Sequence, residues 1–479
     1  MTTFLNRSKF PRGFFSLLCI LTMTMAGFAL IQGLLSVYCI EVFDLPEKTA
    51  YAIYGAFIIS IFAAPVIGGY IAGQLLGYLF TTITCLLLAV TGLYILCFQT
   101  LTHFYIGLAF FCVGNSIAVA SLYVLLGRLL NNLPKIRTGA FTIAYTCMNC
   151  GALAALMASS TAIRIWGYQS TFLISAILFM VSLFVLLMNI RHYIPINQQC
   201  QTTYTMPKRV IGITALLLLL PLEVALFDHP QYRHDVILVM VVIGLGFLTS
   251  MWLKAPPEQR KKLVIFFIVS AFGIFFWTLY ALEPSVLKIF VQRNVHRDLA
   301  SFSVPASDFF SMVNPLSIVI LGTLFSVMWL RLDKHRRSPT LPYKFAIGIG
   351  LVGLAFLVLS ASTYFADTQG LISIEWVIGC YLLLGAAELF ISPIGLSMVG
   401  QLTAPKNEGT AMGLWLLSNG VGSSLSFYLT KITVYTGQTT NPLNTNGLYG
   451  YRFCEFGLAA LALAVILSLL SPKLVKIPV

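Results

Sequence analysis

Glu388 is the only charged residue between Trp376 and Leu402, and it sits near the middle of that apolar stretch. A carboxylate in hydrocarbon is costly. An ionisable group at that depth usually faces a polar cavity, where it binds a solute, carries a proton or holds an ion pair. Other groups suited to such a cavity recur at helical spacing. Ser392 falls one turn after Glu388 on the same helix face, with Pro393 beside it to loosen the backbone. Tyr145 with Asn149, and Trp415 with Asn419, are further one-turn pairs; Asn314 precedes Pro315, and Trp277, Gln32 and Asn115 lie at plausible depth. They offer aromatic walls and amide donors to a solute, and the competing use of each is bonding or packing between membrane helices. Glu283 and Lys288, with Pro284 between them, are candidates for an external gate. Their spacing is poor for a direct pair, and the competing reading is that both reach out to the membrane interface.

The elements that must position these groups follow from composition. With 58% hydrophobic residues, 9% charged and a mean hydropathy of +0.89, the 479-residue chain is too apolar for a soluble protein. Its first apolar run starts near Phe14 behind Arg7, Lys9 and Arg12 and reaches Tyr38 without a small-residue cleavage site, so it reads as a retained helix. Helix-length runs fall at about 14–40, 50–72, 79–98, 103–129, 139–163 and 169–190, then 210–227 and 236–253, then 263–291, 308–331, 342–364, 374–402, 409–432 and 452–471. That is an all-α polytopic membrane protein of about fourteen transmembrane helices, arranged six, two and six. The expected units are 1–190 as one six-helix bundle, 191–262 as linkers with two accessory helices, and 263–479 as the second bundle.

Most of the 29 Lys and Arg residues, among them Arg128, Lys135, Arg137, Arg260, Arg336, Lys406 and Lys476, fall on the N-terminal side of the membrane. The positive-inside bias therefore places both termini in the cytoplasm. The net charge of +13 is spread over short loops, which argues against a nucleic-acid partner. Cys147 and Cys150 form a CxxC inside an apolar helix with no nearby histidine, a packing pair rather than a metal or redox site. Gly69, Gly73 and Gly77 repeat every four residues, a ridge for close packing rather than a phosphate loop. His296 and Arg297 carry no metal pattern. No nucleotide motif, catalytic carboxylate pair or nucleophile elbow is present, so no cofactor, metal or enzymatic activity is expected.

Several segments sharpen the reading. Tyr51 to Tyr70, Phe141 to Ala152, Phe276 to Leu279, Arg293 to Val295, Pro305 to Pro315 (PASDFFSMVNP), Glu388 to Met398 (ELFISPIGLSM) and Gly413 to Trp415 stand in an order that resembles the proton-dependent oligopeptide transporter family of the major facilitator superfamily. The two extra central helices resemble those of bacterial members. The resemblance implies two six-helix bundles rocking about a midplane site, and proton-driven movement of short peptides or related solutes through a bacterial inner membrane. It also implies that Glu388 binds the peptide's amino group.

The departures from the family pattern are as informative. Leu21, Thr24 and Met25 stand where the family has its first-helix ExxER motif, Val119 where it has a fourth-helix lysine, and Ala281 where it has a seventh-helix glutamate. Glu283 lies two residues on from Ala281, about 200° around a helix. The loop after the second helix, normally rich in Asp and Arg, carries Gly73, Gln74 and Tyr78. Without the usual cation beside it, Glu388 can be protonated when the site is empty and ionised when a cationic solute arrives; the alternative is a permanently neutral acid bonded to a neighbouring helix. The expected function is a monomeric secondary transporter working by alternating access, with proton coupling through Glu388 and tolerance for solutes less charged than a zwitterionic dipeptide. The alternatives are an uncoupled facilitator or exporter of another metabolite, or a non-transporting solute sensor.

Overall fold

The structure is a computed structural model that describes residues 10–197, 204–296, 298–299, 302–303, 306–335, 337–434 and 441–475. Arg7, Lys9, Arg297, Pro305, Arg336 and Lys476, used above, lie outside the described residues. Helices α1 (Phe14–Phe43), α2 (Glu47–Ile71), α3 (Tyr78–Ile95), α4 (Leu101–Leu129) and α5 (Pro134–Met188) form the first half. The long α5 holds two spans, because Gly167 adopts φ 74° and ψ 176°, a conformation open only to glycine, and breaks the helix there. A short α6 (Ile190–Asn197) leads to the accessory helices α7 (Met206–Asp228) and α8 (Arg233–Lys254).

The second half contains α9 (Pro257–Tyr280), which continues through a π-turn at Glu283–Leu287 into α10 (Lys288–Asn294). It is completed by α11 (Ala306–Lys334), α12 (Leu341–Ser362), α13 (Ile374–Leu402), α14 (Glu408–Thr433) and α15 (Pro442–Val475). A two-residue antiparallel pair, Asp298–Leu299 with Phe302–Ser303, is the only sheet among the described residues.

Local chemistry accounts for the boundaries. Pro134, Pro257 and Pro342 stand in the first turns of their helices, where the missing N–H costs nothing. Thr100 caps α4 by accepting from the His103 amide at 3.3 Å. Pro284 lacks the N–H for a regular helical bond, and the chain relaxes there into the π-turn. The last helix begins ten residues before the apolar run that predicts it, because its polar first turns are fastened from the side: Asn294 Nδ2 donates to Thr445 Oγ1 at 2.7 Å and Asn446 Oδ1 at 2.8 Å.

Thirteen helical spans among the described residues are long and apolar enough to cross a membrane. The remaining long helix, α14, has 26 residues and is more polar, with Ser418, Asn419, Ser423, Ser424 and Ser426 along it. The protein is therefore an all-α integral membrane protein.

The halves meet where small residues let backbones touch. A Cβ at Gly69 would lie 2.0 Å from Gly409 O, one at Gly73 would lie 2.8 Å from Lys406 O, and one at Gly413 would lie 2.2 Å from Pro65 O. The glycine repeat read from the sequence thus packs α2 against the start of α14, across the two halves, while Gly77 serves as a turn at φ 85°. We expect Gly413→Ala to destabilise this arrangement by about 1–3 kcal/mol, the usual cost of overpacking against atoms that cannot move. Gly447→Ala, with nothing within 4 Å of the added methyl, serves as the neutral control in thermal unfolding of the purified protein.

The accessory pair is not peripheral. Helix α8 lies against both halves at once: Ile237 and Met240 pack with Ile59, Ala63 and Val66 of α2 and with Leu417 of α14. Phe247 of α8 stacks on Tyr70 at 5.0 Å between ring centroids.

Candidate functional site

A cavity of about 600 Å³ lies between the halves, within the range of about 300–1,000 Å³ that small-molecule sites occupy. Its walls come from α1 (Gln32, Phe28), α2 (Tyr54, Phe62), α4 (Asn115, Val119), α5 (Tyr145), α9 (Trp277, Tyr280), α13 (Ser392) and α14 (Trp415, Asn419). The polarity of α14 follows from this position, because one face must be polar where it meets the cavity rather than lipid.

Where α4 ends and α14 begins the cavity is shut by buried charge. Arg128 Nε donates to Glu408 Oε2 at 2.6 Å, both side chains being less than a tenth exposed, and Arg128 Nη2 reaches Pro405 O at 2.7 Å. The Arg128 guanidinium lies over the Tyr78 ring at 4.4 Å, and Tyr78 Oη accepts from the Gly409 amide at 2.8 Å. Arg137 Nη1 donates to Gly127 O at 2.7 Å within its own half, and Nε donates to Ser397 O at 3.2 Å across to α13. Gln74, at a position the sequence marks as neutralised, donates to Lys406 O at 2.7 Å. Away from that end the cavity wall continues to Arg233, His234 and Phe427.

Glu388 is 5% exposed and stands just behind the wall rather than in it. Tyr145, from the first half, donates its hydroxyl to Oε1, and Tyr280, from the second half, donates to Oε2. Asn314 in turn donates through Nδ2 to Tyr280 Oη. The carboxyl is thus held by one donor from each half, and both donor rings line the cavity. A buried carboxylate is tolerated only when such donors replace its hydration.

Most of the residues singled out from the sequence converge here. Ser392, Trp415, Asn419, Tyr145, Trp277, Gln32 and Asn115 line the cavity. Gln32 Nε2 donates to Tyr54 Oη at 3.3 Å, whereas Asn115 Oδ1 and Trp277 Nε1 are buried without a protein partner. Asn314 sits behind the wall, acting on Tyr280. Asn149 is turned into its own helix, donating to Tyr145 O at 3.0 Å, and is not a lining residue. Glu283 lines the cavity; Lys288, one π-turn on, does not, and no ion pair joins the two among the described residues. Met25, Val119 and Ala281, three of the positions read as having lost a family charge, all line the cavity, while Thr24 is buried and bonded to Ile20 O at 2.9 Å. Cys147 is half-buried and Cys150 exposed, both as free thiols.

Three features escape sequence reading. Tyr280 is one aromatic among many in α9. Arg128 and Glu408 look like loop charges at helix ends, although the burial of a carboxylate so close to an apolar run is a signal in hindsight. Arg233 and His234 open an accessory helix, which sequence patterning sets apart from the bundles.

A model of the POT family matches residues 74–446 of the chain. The chain is 28% identical over 476 residues to dipeptide and tripeptide permease B of Salmonella typhimurium, covering 97% of this chain and 95% of that permease. It is 26% identical over 462 residues to the protein of the same name from Aliivibrio fischeri, covering 94% and 92%. It superposes on a crystal structure of the peptide transporter POT in complex with sulfate with a TM-score of 0.72 at 22% identity, covering 98% of this chain and 96% of that one. The fold is thus that of the major facilitator arrangement.

Proposed function

Because this chain belongs to the POT family, we propose that it carries short peptides, or solutes built like them, across a bacterial inner membrane by alternating access, as a monomer, with Glu388 as its proton-coupling carboxyl. The reading rests on a cavity between two halves that is shut at one end and has a clamped carboxyl beside it. The basic residues near the closed end support a cytoplasmic position for that end by the positive-inside bias, and on that reading this is the outward-facing state. The peptide class is supported by the similarity to dipeptide and tripeptide permeases over nearly the whole chain.

Coupling through Glu388 has a physical route. As a carboxylate it accepts from Tyr145 and Tyr280 together; once protonated it carries a hydrogen of its own, and one of the two phenols must either reverse its role and accept that hydrogen or give up its bond. Tyr145 belongs to the opposite half, so the charge on Glu388 and the contact between halves are linked. A second reading, an uncoupled facilitator, is favoured by the apolar Met25, Val119 and Ala281 in place of charges.

Proteoliposomes separate the two. With purified protein and a panel of di- and tripeptides, an inward proton gradient is expected to drive uptake above equilibrium. Uptake that only equilibrates, gradient or not, would replace the coupled reading with the facilitator, and peptide-induced thermal stabilisation without flux would replace both with a sensor.

A further inference from the structure

The core bundle offers no cation to a solute, yet the cavity has one. Arg233 is the only Lys or Arg among the described residues that line it, and it comes from the first turn of accessory helix α8. We propose that Arg233, with His234 beside it, is the subsite for the terminal carboxylate of the transported peptide, a role delivered by the accessory helix instead of the bundle. The proposal rests on the transport reading above and extends it.

The surroundings of Arg233 are built for the purpose. Its guanidinium makes one described hydrogen bond, Nη1 to Pro230 O at 3.2 Å, and no ion pair, so most of its five N–H donors have no described protein acceptor. Gly55, itself a lining residue, makes room for the side chain: a Cβ there would stand 3.2 Å from Arg233 Cδ and 3.3 Å from Nε. His234 Nδ1 is 2.8 Å from Ser424 Oγ, which fixes the ring against α14. In the tautomer in which Ser424 donates to Nδ1, Nε2 carries the hydrogen, and Nε2 is buried without a protein partner. A guanidinium fork with open donors matches the two oxygens of a carboxylate.

Across the cavity Glu283 is the lining acid and Tyr145 and Tyr280 cover Glu388. Glu283 and Arg233 are thus an acid and a base among the described lining residues of the same space. Recognition of solute charge, which the bundle's neutralised positions relax, is restored by an element outside the bundle.

Proteoliposome uptake of alanyl-alanine and of alanyl-alaninamide, which lacks the carboxylate, tests this. Arg233→Gln is expected to raise KM for the free acid at least about ten-fold while leaving KM for the amide unchanged, and Arg233→Lys is expected to restore part of the difference. Gly55→Leu, which crowds the guanidinium without removing it, is expected to impair the free acid selectively as well. An unchanged KM for the acid in Arg233→Gln, or an equal rise for acid and amide, overturns the subsite while transport stands. If the wild type moves neither compound and neither raises its melting temperature, the transport reading and this subsite fall together.

Discussion

Glu388→Gln is expected to abolish gradient-driven peptide accumulation, lowering it at least about 100-fold, while exchange of peptide across the membrane survives at a reduced rate. The amide keeps the shape and still accepts from one phenol, but it cannot switch between a charged acceptor and a neutral donor. Hydrogen bonds to a charged group contribute about 1.5–3 kcal/mol each, so removing one phenol should have a smaller effect. Tyr280→Phe is expected to slow uptake about ten-fold or somewhat more, since Asn314 then loses its acceptor as well. Tyr145→Phe should do more than slow transport, because Tyr145 is the donor from the other half. Counterflow assays alongside gradient-driven uptake separate the outcomes. If Glu388→Gln still accumulates peptide against a gradient, the carboxyl is a structural acid and coupling lies elsewhere.

Glu408→Gln should open the closed end. Breaking a buried ion pair by removing one partner costs about 3–5 kcal/mol, because the other charge is left uncompensated. Arg128 is 4% exposed, so it cannot recover that loss from water while the halves remain together. The equilibrium between open and closed forms of this end should therefore shift by about two to three powers of ten. A cysteine placed at Ser397, buried in the seal, is expected to react with a membrane-impermeant maleimide at least about ten-fold faster from the termini side in Glu408→Gln than in the parent. Replacing both partners with apolar residues, Arg128→Met with Glu408→Leu, should return labelling towards the parent rate, since such pairs often exchange for hydrophobic contacts at little cost. Unchanged labelling in the single variant would mean that the glycine contacts at Gly69 and Gly413 hold this end closed without help from charge.

How far the sequence reaches depends on which physical term decides each feature. The long helices from α1 to α13 are legible because a span must be apolar over a fixed length, and that term dominates every other. It weakens where a helix has two environments. Helix α14 keeps the bounds its run predicts despite a polar cavity face, whereas α15 begins in polar turns held by Asn294 and Gly370, so hydropathy misplaces its start. Glu388 is legible because a lone charge in hydrocarbon needs a reason. Its partners are not, since which tyrosine among 21 reaches it is decided by the crossing of four helices far apart in the chain. Arg128 and Glu408 fail for a different reason. Counting charges near helix ends assigns sides of a membrane, and it treats as loops the very residues that close the bundle.

Helix α8 also determines what can approach from the side. Between α2 and α14 its first turn stands beside Gly55 and Ser424. Further along, Ile237 and Met240 fill the same seam with aliphatic packing. Acyl chains are thereby kept from the cavity, and a lipophilic compound dissolved in the bilayer has no lateral doorway there. Cargo must come from water, past a guanidinium, so partitioning into membrane should confer no advantage on a competing ligand.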